Sequence, residues 1–344
     1  MKDLGIGIIG TGSITGKHLE AIATLDHAKV LALHNPKLES AQKAAVTFGL
    51  PVYSDLEEFL ALPGLDIVCV CTPSGLHLEP ALAAARAGKH VVVEKPLEIN
   101  LSRVDQLVSA CEDNGVRLEV IFQNRFSPDY LKLKEAVERG EFGRLLMGNA
   151  YINWFRTPEY YSQSIWKGTL EGDGGGAFIN QGIHTLDLLL DIMGDVKSVF
   201  GKVKTALYPI EGEDLGAAMV TFKNGAIGNI TAATSLYPGY PERLEIYGTE
   251  GSAILEAGKI VAWNIKGKES LVSSKDTSSS GASDPTAIGS ELHAAQWSRF
   301  LEAIQNDSPN LVNGKEGRKS VELIRAIYKS SELNQELFFP FEDS

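Results

Sequence analysis

Basic residues are few relative to acids. The chain has 32 Lys and Arg against 44 Asp and Glu in 344 residues, a formal net charge of −12. That balance argues against nucleic acid and against an anionic membrane surface, both of which attract basic faces. It leaves phosphate ligands open, because main-chain amides at a helix start bind them locally. Cysteine is nearly absent: there are three, and Cys69 and Cys71 alternate with Val68 and Val70 in an apolar run. A sparse, odd set of this kind reads as reduced core residues of a cytoplasmic protein, not as a disulfide framework. The thiols are wrongly spaced for zinc and no HExxH occurs, so no metal is expected. No apolar stretch approaches the roughly 20 residues of a membrane-spanning helix, the N-terminus lacks a signal-peptide core, and no internal repeat is visible. What is present is 44% apolar and 22% charged residues, the composition of a globular protein long enough for two domains.

The first 122 residues alternate short apolar runs with helical patterns. LGIGII (4–9), KVLALHN (29–35), DIVCVCTP (66–73), HVVVEKP (90–96) and VRLEVIFQ (116–123) read as strands. Between them, helical periodicity appears on Ile14, His18, Ile22 and Leu25, in AQKAAVTFG (41–49), in HLEPALAAARAG, and on Leu101, Val104, Leu107, Val108 and Cys111. This spacing predicts a doubly wound parallel sheet, class α/β. From 123 to 344 the pattern changes to a helix (YLKLKEAVERGEFG), a Gly-rich segment, and consecutive strands joined by tight turns such as Asn224-Gly225. A second, α+β domain on a mostly antiparallel sheet is expected there, closed by helices near 292–304 and 321–333. Residues 267–290 are Ser/Gly/Asp-rich and read as a plain loop or as a lid.

Gly10-Thr11-Gly12-Ser13-Ile14-Thr15 follows the first strand and opens the first helix, the context of a dinucleotide site. Gly10 serves the tight turn, and Gly12 lets the amides around Ser13 and Ile14 approach a pyrophosphate. Thr15 stands where a third small residue is usual, which predicts looser helix–strand packing. Asn35 ends the second strand where an acid would accept ribose hydroxyls. It repels no 2′-phosphate and Lys37 is near, so NAD and NADP both remain open. In CTPSGLH, Thr72 and Pro73 form a rigid edge for the dinucleotide, and His77 either touches it or caps a helix.

Glu94-Lys95-Pro96 ends another strand. Proline fixes its own φ and pushes Lys95 out of the helical region. The carboxyl ends of parallel strands are where ligands bind in such sheets, and an ammonium held there is costly unless it performs a task. Glu94 is its partner or a structural anchor. In GDGGGAFINQGIHTLDLLLDIMG (172–194), Asn180, His184, Asp187 and Asp191 fall on one helical face, and Ile183, Leu186, Leu190 and Met193 on the other.

GTGSITGKH, CTPSGLH, AGKHVVVEKP and GGGAFINQGIHTLDLL together resemble the Gfo/Idh/MocA family of glucose–fructose oxidoreductases and inositol dehydrogenases. The resemblance implies a Rossmann domain followed by a domain with a large open sheet that forms homodimer or homotetramer contacts. It implies hydride transfer between NAD(P) and a secondary alcohol of a sugar-type small molecule. It also implies that Lys95 contacts the substrate hydroxyl at the nicotinamide end and that His184 accepts its proton. Asn180 stands where many members carry Asp, so Asp187 is left to orient the ring, Lys95 shares the role of base, or Asn180 bonds a substrate hydroxyl. NWFRTPEYYSQSIWKG (153–168) resembles the branch that acts on nucleotide-linked amino-sugar uronates. Arg156 then reads as a carboxylate or phosphate clamp, with Tyr160, Tyr161 and Trp166 as walls. For Tyr161 and Trp166 ordinary core packing is an equal alternative. His293 is expected to face the same pocket. Two further readings rank lower: an NAD-dependent glycoside hydrolase, whose Gly–Tyr–His signature is missing, and a non-catalytic dinucleotide binder, which would need neither Lys95 nor His184.

Overall fold

A computed structural model describes residues 3–268, 270 and 289–343. The chain divides into two compact units, Met1–Gln123 with Gly289–Arg318, and Asn124–Ile288 with Lys319–Ser344. Most of the Ser-rich stretch expected as a loop or lid lies outside the described residues.

In the first unit six strands, β1 (Leu4–Ile9), β2 (Ala28–His34), β3 (Val52–Tyr53), β4 (Leu65–Val70), β5 (His90–Val93) and β6 (Leu118–Val120), form one parallel sheet in the order β3-β2-β1-β4-β5-β6. The expected doubly wound fold is therefore observed. The run DIVCV is unbroken because Ile67, Val68, Cys69 and Val70 are all fully buried, as a strand covered on both faces must be. Helices α1 (Ser13–Ile22), α2 (Leu38–Phe48), α3 (Leu56–Leu60), α4 (Leu78–Arg86) and α5 (Leu101–Asp113) make the crossovers. All three cysteines are free and buried.

Residues 289–318 cluster with this unit, not with the sheet that precedes them. Trp297, Phe300 and Leu301 join the core formed by Ile6, Ile8, Ala21, Ile67 and Cys69. Each such buried side chain stabilises by roughly 1.5–3 kcal/mol. Gln296 fixes the register of the packing: its Oε1 accepts from Phe122 N at 3.1 Å, and its Nε2 donates to Val120 O at 2.7 Å.

The order of the sheet reverses between β1 and β4. The chain winds outward through β2 and β3 on one side and through β5 and β6 on the other. The carboxyl ends of those two central strands are where an open α/β sheet binds ligands, and here they are Gly10 and the Cys71-Thr72 loop.

The second unit begins with α6 (Pro128–Glu138). It contains β7 (Leu145–Asn153), β8 (Val196–Lys204), β9 (Leu215–Phe222), β10 (Ile227–Ala233), β11 (Arg243–Gly248), β12 (Gly251–Glu256), β13 (Lys259–Ile265) and β14 (Leu337–Phe338). The order is β13-β12-β11-β7-β10-β9-β8-β14, antiparallel throughout except for the β7–β10 pair. The Asn224-Gly225 turn joins β9 to β10 as its sequence requires, with Gly225 at φ +87°. Helices α7 (Pro158–Ser162) and α8 (Ile183–Met193) lie between β7 and β8, and α9 (Glu291–Gln305) and α10 (Gly314–Leu333) come near the end of the chain. On the outer face of β8 and β9, Phe200 and Met219 are exposed at 37% and 55%.

Candidate functional site

Gly10 adopts φ +107°, and a Cβ on it would lie 2.5 Å from Cys71 O, so only glycine closes this turn. Thr15 does not loosen the packing. It is fully buried and its hydroxyl donates to Gly10 O at 3.1 Å, so it ties the helix to the turn it follows. Gly12 differs in kind from Gly10: its φ is −80°, and a Cβ there would meet nothing within 4 Å. Gly12 is also the N-cap of α1 and supplies no side-chain cap. The amides of Ser13 and Ile14 thus open a helix beside free space, the setting in which N–H groups and the helix dipole favour a phosphate.

Asn35 follows β2. Its Nδ2 donates to Thr11 Oγ1 at 2.7 Å and its Oδ1 accepts from Lys37 N at 3.0 Å, so the side chain bridges the two loops. Thr72 is half-buried and donates its hydroxyl to Leu76 O at 3.0 Å, with Pro73 beside it in extended backbone. His77 is buried, with Nδ1 2.8 Å from Pro96 O and Nε2 3.0 Å from Thr72 O. Burial pushes its pKa down despite these acceptors. The neutral ring has one N–H to donate to one of these carbonyls, so its polar edge faces main chain of the two ligand-side loops. Glu94 has the same character. It is buried, accepts from His18 Nε2 at 2.9 Å through Oε1, and accepts from Lys95 N at 3.2 Å through Oε2. Burial would raise its pKa, but the His18 bond and the charges around it hold the carboxyl at about 2. Lys95 is half-buried at the end of β5. The first unit thus gathers Gly10, Gly12, Ser13, Ile14, Asn35, Thr72, Pro73 and Lys95 at the carboxyl ends of its strands, with His77 and Glu94 bracing them from behind.

In the second unit the glycine-rich segment leads into a π-helix, Ala177–Gly182, before α8 begins. A π turn holds more residues than an α turn and so narrows the angular step per residue, and Asn180 leaves the single 3.6-residue stripe expected for it and His184. Its Nδ2 donates to both oxygens of buried Asp173, at 2.6 and 2.8 Å, and Asp173 also accepts from Gly168 N at 2.9 Å. Gly176 is needed here because a Cβ would overlap Glu213 O. The Glu213 carboxylate accepts from Gly176 N at 2.9 Å, Phe178 N at 2.7 Å and the Tyr328 hydroxyl at 3.0 Å. Burial raises it to about 7 against the pull of these donors.

Asp187, expected to orient His184, carries a buried ion pair. Arg125 grips it with Nε and Nη2 at 2.7 Å each and reaches Asp191 with Nη1 at 3.1 Å, while Lys134 bonds Asp191 at 2.7 Å. These carboxylates are buried. The polar face of α8 is thus an ionic knot that anchors the helix, and half-buried His184 lies in its first turn beside buried Thr185.

Arg156 is 4% exposed. Its guanidinium lies over the Trp154 ring at 4.8 Å and over Tyr160 at 5.4 Å, and Lys167 Nζ sits 3.9 Å from the Tyr160 ring centre. Tyr160 accepts from Gln181 Nε2 at 3.0 Å. Tyr161 hydrogen-bonds Thr234 Oγ1 at 2.7 Å and packs edge-on to Tyr160 and against Tyr208. Trp166 is half-buried, its carbonyl held by Thr169. His293, by contrast, belongs to the first unit: its ring meets His18 at 5.3 Å, and its Nε2 is 3.9 Å from Glu94. Sequence reading also missed Glu213, Arg125, His18 and Trp297, whose partners are distant in the chain and leave no local periodic signal, and Asp173, whose partners Gly168 and Asn180 are near but lie outside any regular helical spacing.

A switch-point loop closed by an obligatory glycine, an uncapped helix start and a lysine at the next strand end define an NAD(P)-dependent dehydrogenase of the Rossmann type. Residues 4–122 match the model of the oxidoreductase family with an NAD-binding Rossmann fold, and residues 130–254 match that of the GFO/IDH/MocA C-terminal domain. The chain belongs to the GFO/IDH/MocA oxidoreductase family. It is 32% identical to the WlbA dehydrogenase from Bordetella pertussis, solved in complex with NADH and UDP-GlcNAcA, with a TM-score of 0.88 over 99% of this chain and 100% of that one. It is 29% identical to myo-inositol 2-dehydrogenase from Thermotoga maritima over 95% of this chain and 96% of that protein. It is 26% identical to scyllo-inositol 2-dehydrogenase (NAD(+)) from Bacillus subtilis, over 89% of this chain and 87% of that protein.

Proposed function

We propose that this NAD(P)-dependent oxidoreductase acts on a secondary alcohol of a nucleotide-linked amino-sugar uronate. The observation that carries this reading is the buried Arg156, stacked between aromatic rings with Lys167 beside it. Arg156 Nη1 donates to Phe155 O at 3.0 Å, which helps to orient a fork suited to a carboxylate or phosphate, a feature that an uncharged cyclitol does not need. The relative solved with UDP-GlcNAcA supports the same substrate class. No observation favours the glycoside hydrolase or the non-catalytic binder.

In this reading the unit around β1 to β6 binds the dinucleotide through Gly10, Gly12, Ser13, Ile14, Asn35, Thr72, Pro73 and Lys95. The nicotinamide, when bound, accepts or returns a hydride at the sugar carbon. The second unit supplies Arg156, Asn180, His184, Tyr161 and Trp166 to the sugar. Lys95, an ammonium donor, bonds the reacting oxygen and stabilises the alkoxide that develops as the hydride leaves. His184 accepts the hydroxyl proton, a role suited to imidazole, which ordinarily titrates at about 6.5. Asn180, held by Asp173, bonds a sugar hydroxyl. Exposed Phe200 and Met219 on the open sheet support a homodimer or homotetramer formed through that face, and the free buried thiols support a cytoplasmic location. Among the described residues no helix is long and apolar enough to cross a membrane.

The test is a substrate panel followed by absorbance of the reduced nicotinamide. UDP-GlcNAcA should turn over with a kcat/KM at least about tenfold above that for myo-inositol, and Arg156→Met should erase most of that preference, since a charged hydrogen bond contributes on the order of 1.5–3 kcal/mol. Equal use of inositol, unchanged by the substitution, would overturn the assignment.

A further inference from the structure

Behind Lys95 the first unit buries a chain of polar groups from three separate elements. Trp297 Nε1, on α9, donates to His18 Nδ1 at 2.9 Å. His18 Nε2, on α1, lies 2.9 Å from Glu94 Oε1, and Glu94 Oε2 accepts the main-chain N–H of Lys95 at 3.2 Å. His18 is fully buried, and Trp297 and Glu94 nearly so.

An indole N–H only donates. Nδ1 of His18 must therefore present a lone pair, which leaves the ring proton on Nε2, where it donates to Glu94. Trp297 thus selects the tautomer of His18, and the tautomer fixes Glu94 as an acceptor on both oxygens. Burial opposes an imidazolium, but Cys71 and the Glu94 carboxylate outweigh it and pull the ring up to about 10; against that pull the Trp297 N–H occupies the Nδ1 lone pair and holds the ring neutral. His293, which also faces the ring, is itself held neutral by burial, at about 4. A second proton, at Nδ1, would break the Trp297 bond. His18, Glu94 and His293 present ligand atoms within 4.8 Å of one another, but both nitrogens of His18 are already bonded, so the cluster is a hydrogen-bond chain.

We propose that Trp297, His18 and Glu94 are positioning residues that set the backbone at Lys95, with Trp297 acting as a tautomer clamp at the far end. The inference rests on the reading of Lys95 as donor to the reacting oxygen. It explains why a segment some 200 residues away in sequence folds back onto this unit: α9 supplies the donor that completes the chain. A buried network pays off only when every member is satisfied, and each link here meets the next with donor and acceptor matched.

The test uses Trp297→Phe, which keeps the aromatic packing and deletes only the donor. In the native protein, 15N spectra should show His18 as the Nε2–H tautomer, without titration from about pH 6 to 9. In Trp297→Phe the ring should take up a second proton within that range, and the Lys95 amide resonance should move. The kcat for UDP-GlcNAcA should fall roughly ten- to hundredfold, the loss typical of a misplaced catalytic group, while the Kd for NADH by fluorescence stays within about twofold. If Trp297→Phe does not fold, Glu94→Gln serves in its place, because a carboxamide cannot accept from both His18 and Lys95, and it should move the Lys95 amide and lower kcat likewise. A variant that folds with His18, the Lys95 amide and kcat all unchanged overturns the proposal. Failure of the underlying reading looks different: Lys95→Ala would then keep its turnover while the His18 and Lys95 resonances still respond to Trp297→Phe.

Discussion

Gly10 and Gly12 are two residues apart and do opposite things. At Gly10 the backbone demands glycine for the protein's own sake, since φ is +107° and Cys71 O fills the place of a side chain. At Gly12 nothing in the protein opposes a side chain, so any need for glycine comes from the ligand. The two substitutions therefore separate folding from binding. Gly10→Ala should lower the Tm, because the left-handed conformation costs an alanine about 1–2 kcal/mol before the steric overlap is counted. Gly12→Val should melt as the native protein does and lose NADH affinity by an order of magnitude or more in calorimetry, its side chain standing where a pyrophosphate approaches the helix start. A folded Gly12→Val with native affinity would remove the dinucleotide from this loop. Asn35 belongs to the same scale. Its amide is committed to Thr11 and Lys37, which gives the loop a neutral bridge where an acid would repel a 2′-phosphate, so both NAD and NADP remain compatible with it.

At the scale of elements, the segment from Gly172 to Met193 shows what sequence periodicity carries and what it does not. The apolar side of α8 was legible, because Ile183, Leu186, Leu190 and Met193 recur at helical spacing and all are buried. The polar side was legible only in part, because Asp187 and Asp191 also pair with Arg125, some 60 residues earlier, and no local pattern announces that pairing. The π-helix was likewise invisible. It is fixed by Glu213 from beneath, through Gly176 and Phe178, and by Asp173 through Asn180. Glu213 gives this support a pH signature. Its folded pKa of about 7 lies above the ordinary 4.5, so between those values the folded chain keeps a proton that the unfolded chain has lost. Its contribution to stability is therefore full below about pH 4.5 and is lost as pH rises through about 7. The 13C resonance of its carboxyl should titrate with a midpoint near 7, and amides of residues 176–180 should follow it. A midpoint near 4.5 would show that the three donors fully offset burial, and the pH signature would be absent.

For the whole molecule, the parallel sheet was legible because a strand buried on both faces writes an unbroken apolar run, as 66–70 does, and because glycines punctuate its helices. The antiparallel sheet was legible at its turns but not at β7, where buried Asn149 and half-buried Asn153 interrupt the apolar pattern and disguise the strand. The return of 289–318 to the first unit had no sequence signal at all: α9 reads as an ordinary amphipathic helix, and only its packing shows that His293, Gln296 and Trp297 serve the dinucleotide unit. Lys95 and His184 stood out in the sequence, while the groups that hold their elements in place did not, since long-range hydrogen bonds leave no periodic trace.

The central claim is that this chain oxidises a sugar alcohol with Lys95 as donor and His184 as base. The most direct measurement is the pH dependence of turnover, followed through the reduced nicotinamide, for the native protein and for His184→Ala, with the panel compound that reacts best. The native rate should rise with pH through an ionisation in the imidazole range. His184→Ala should lose that limb and roughly two or more orders of magnitude in kcat, with NADH affinity little changed. Near-native turnover in His184→Ala with the limb intact would contradict the account and place the base on another group.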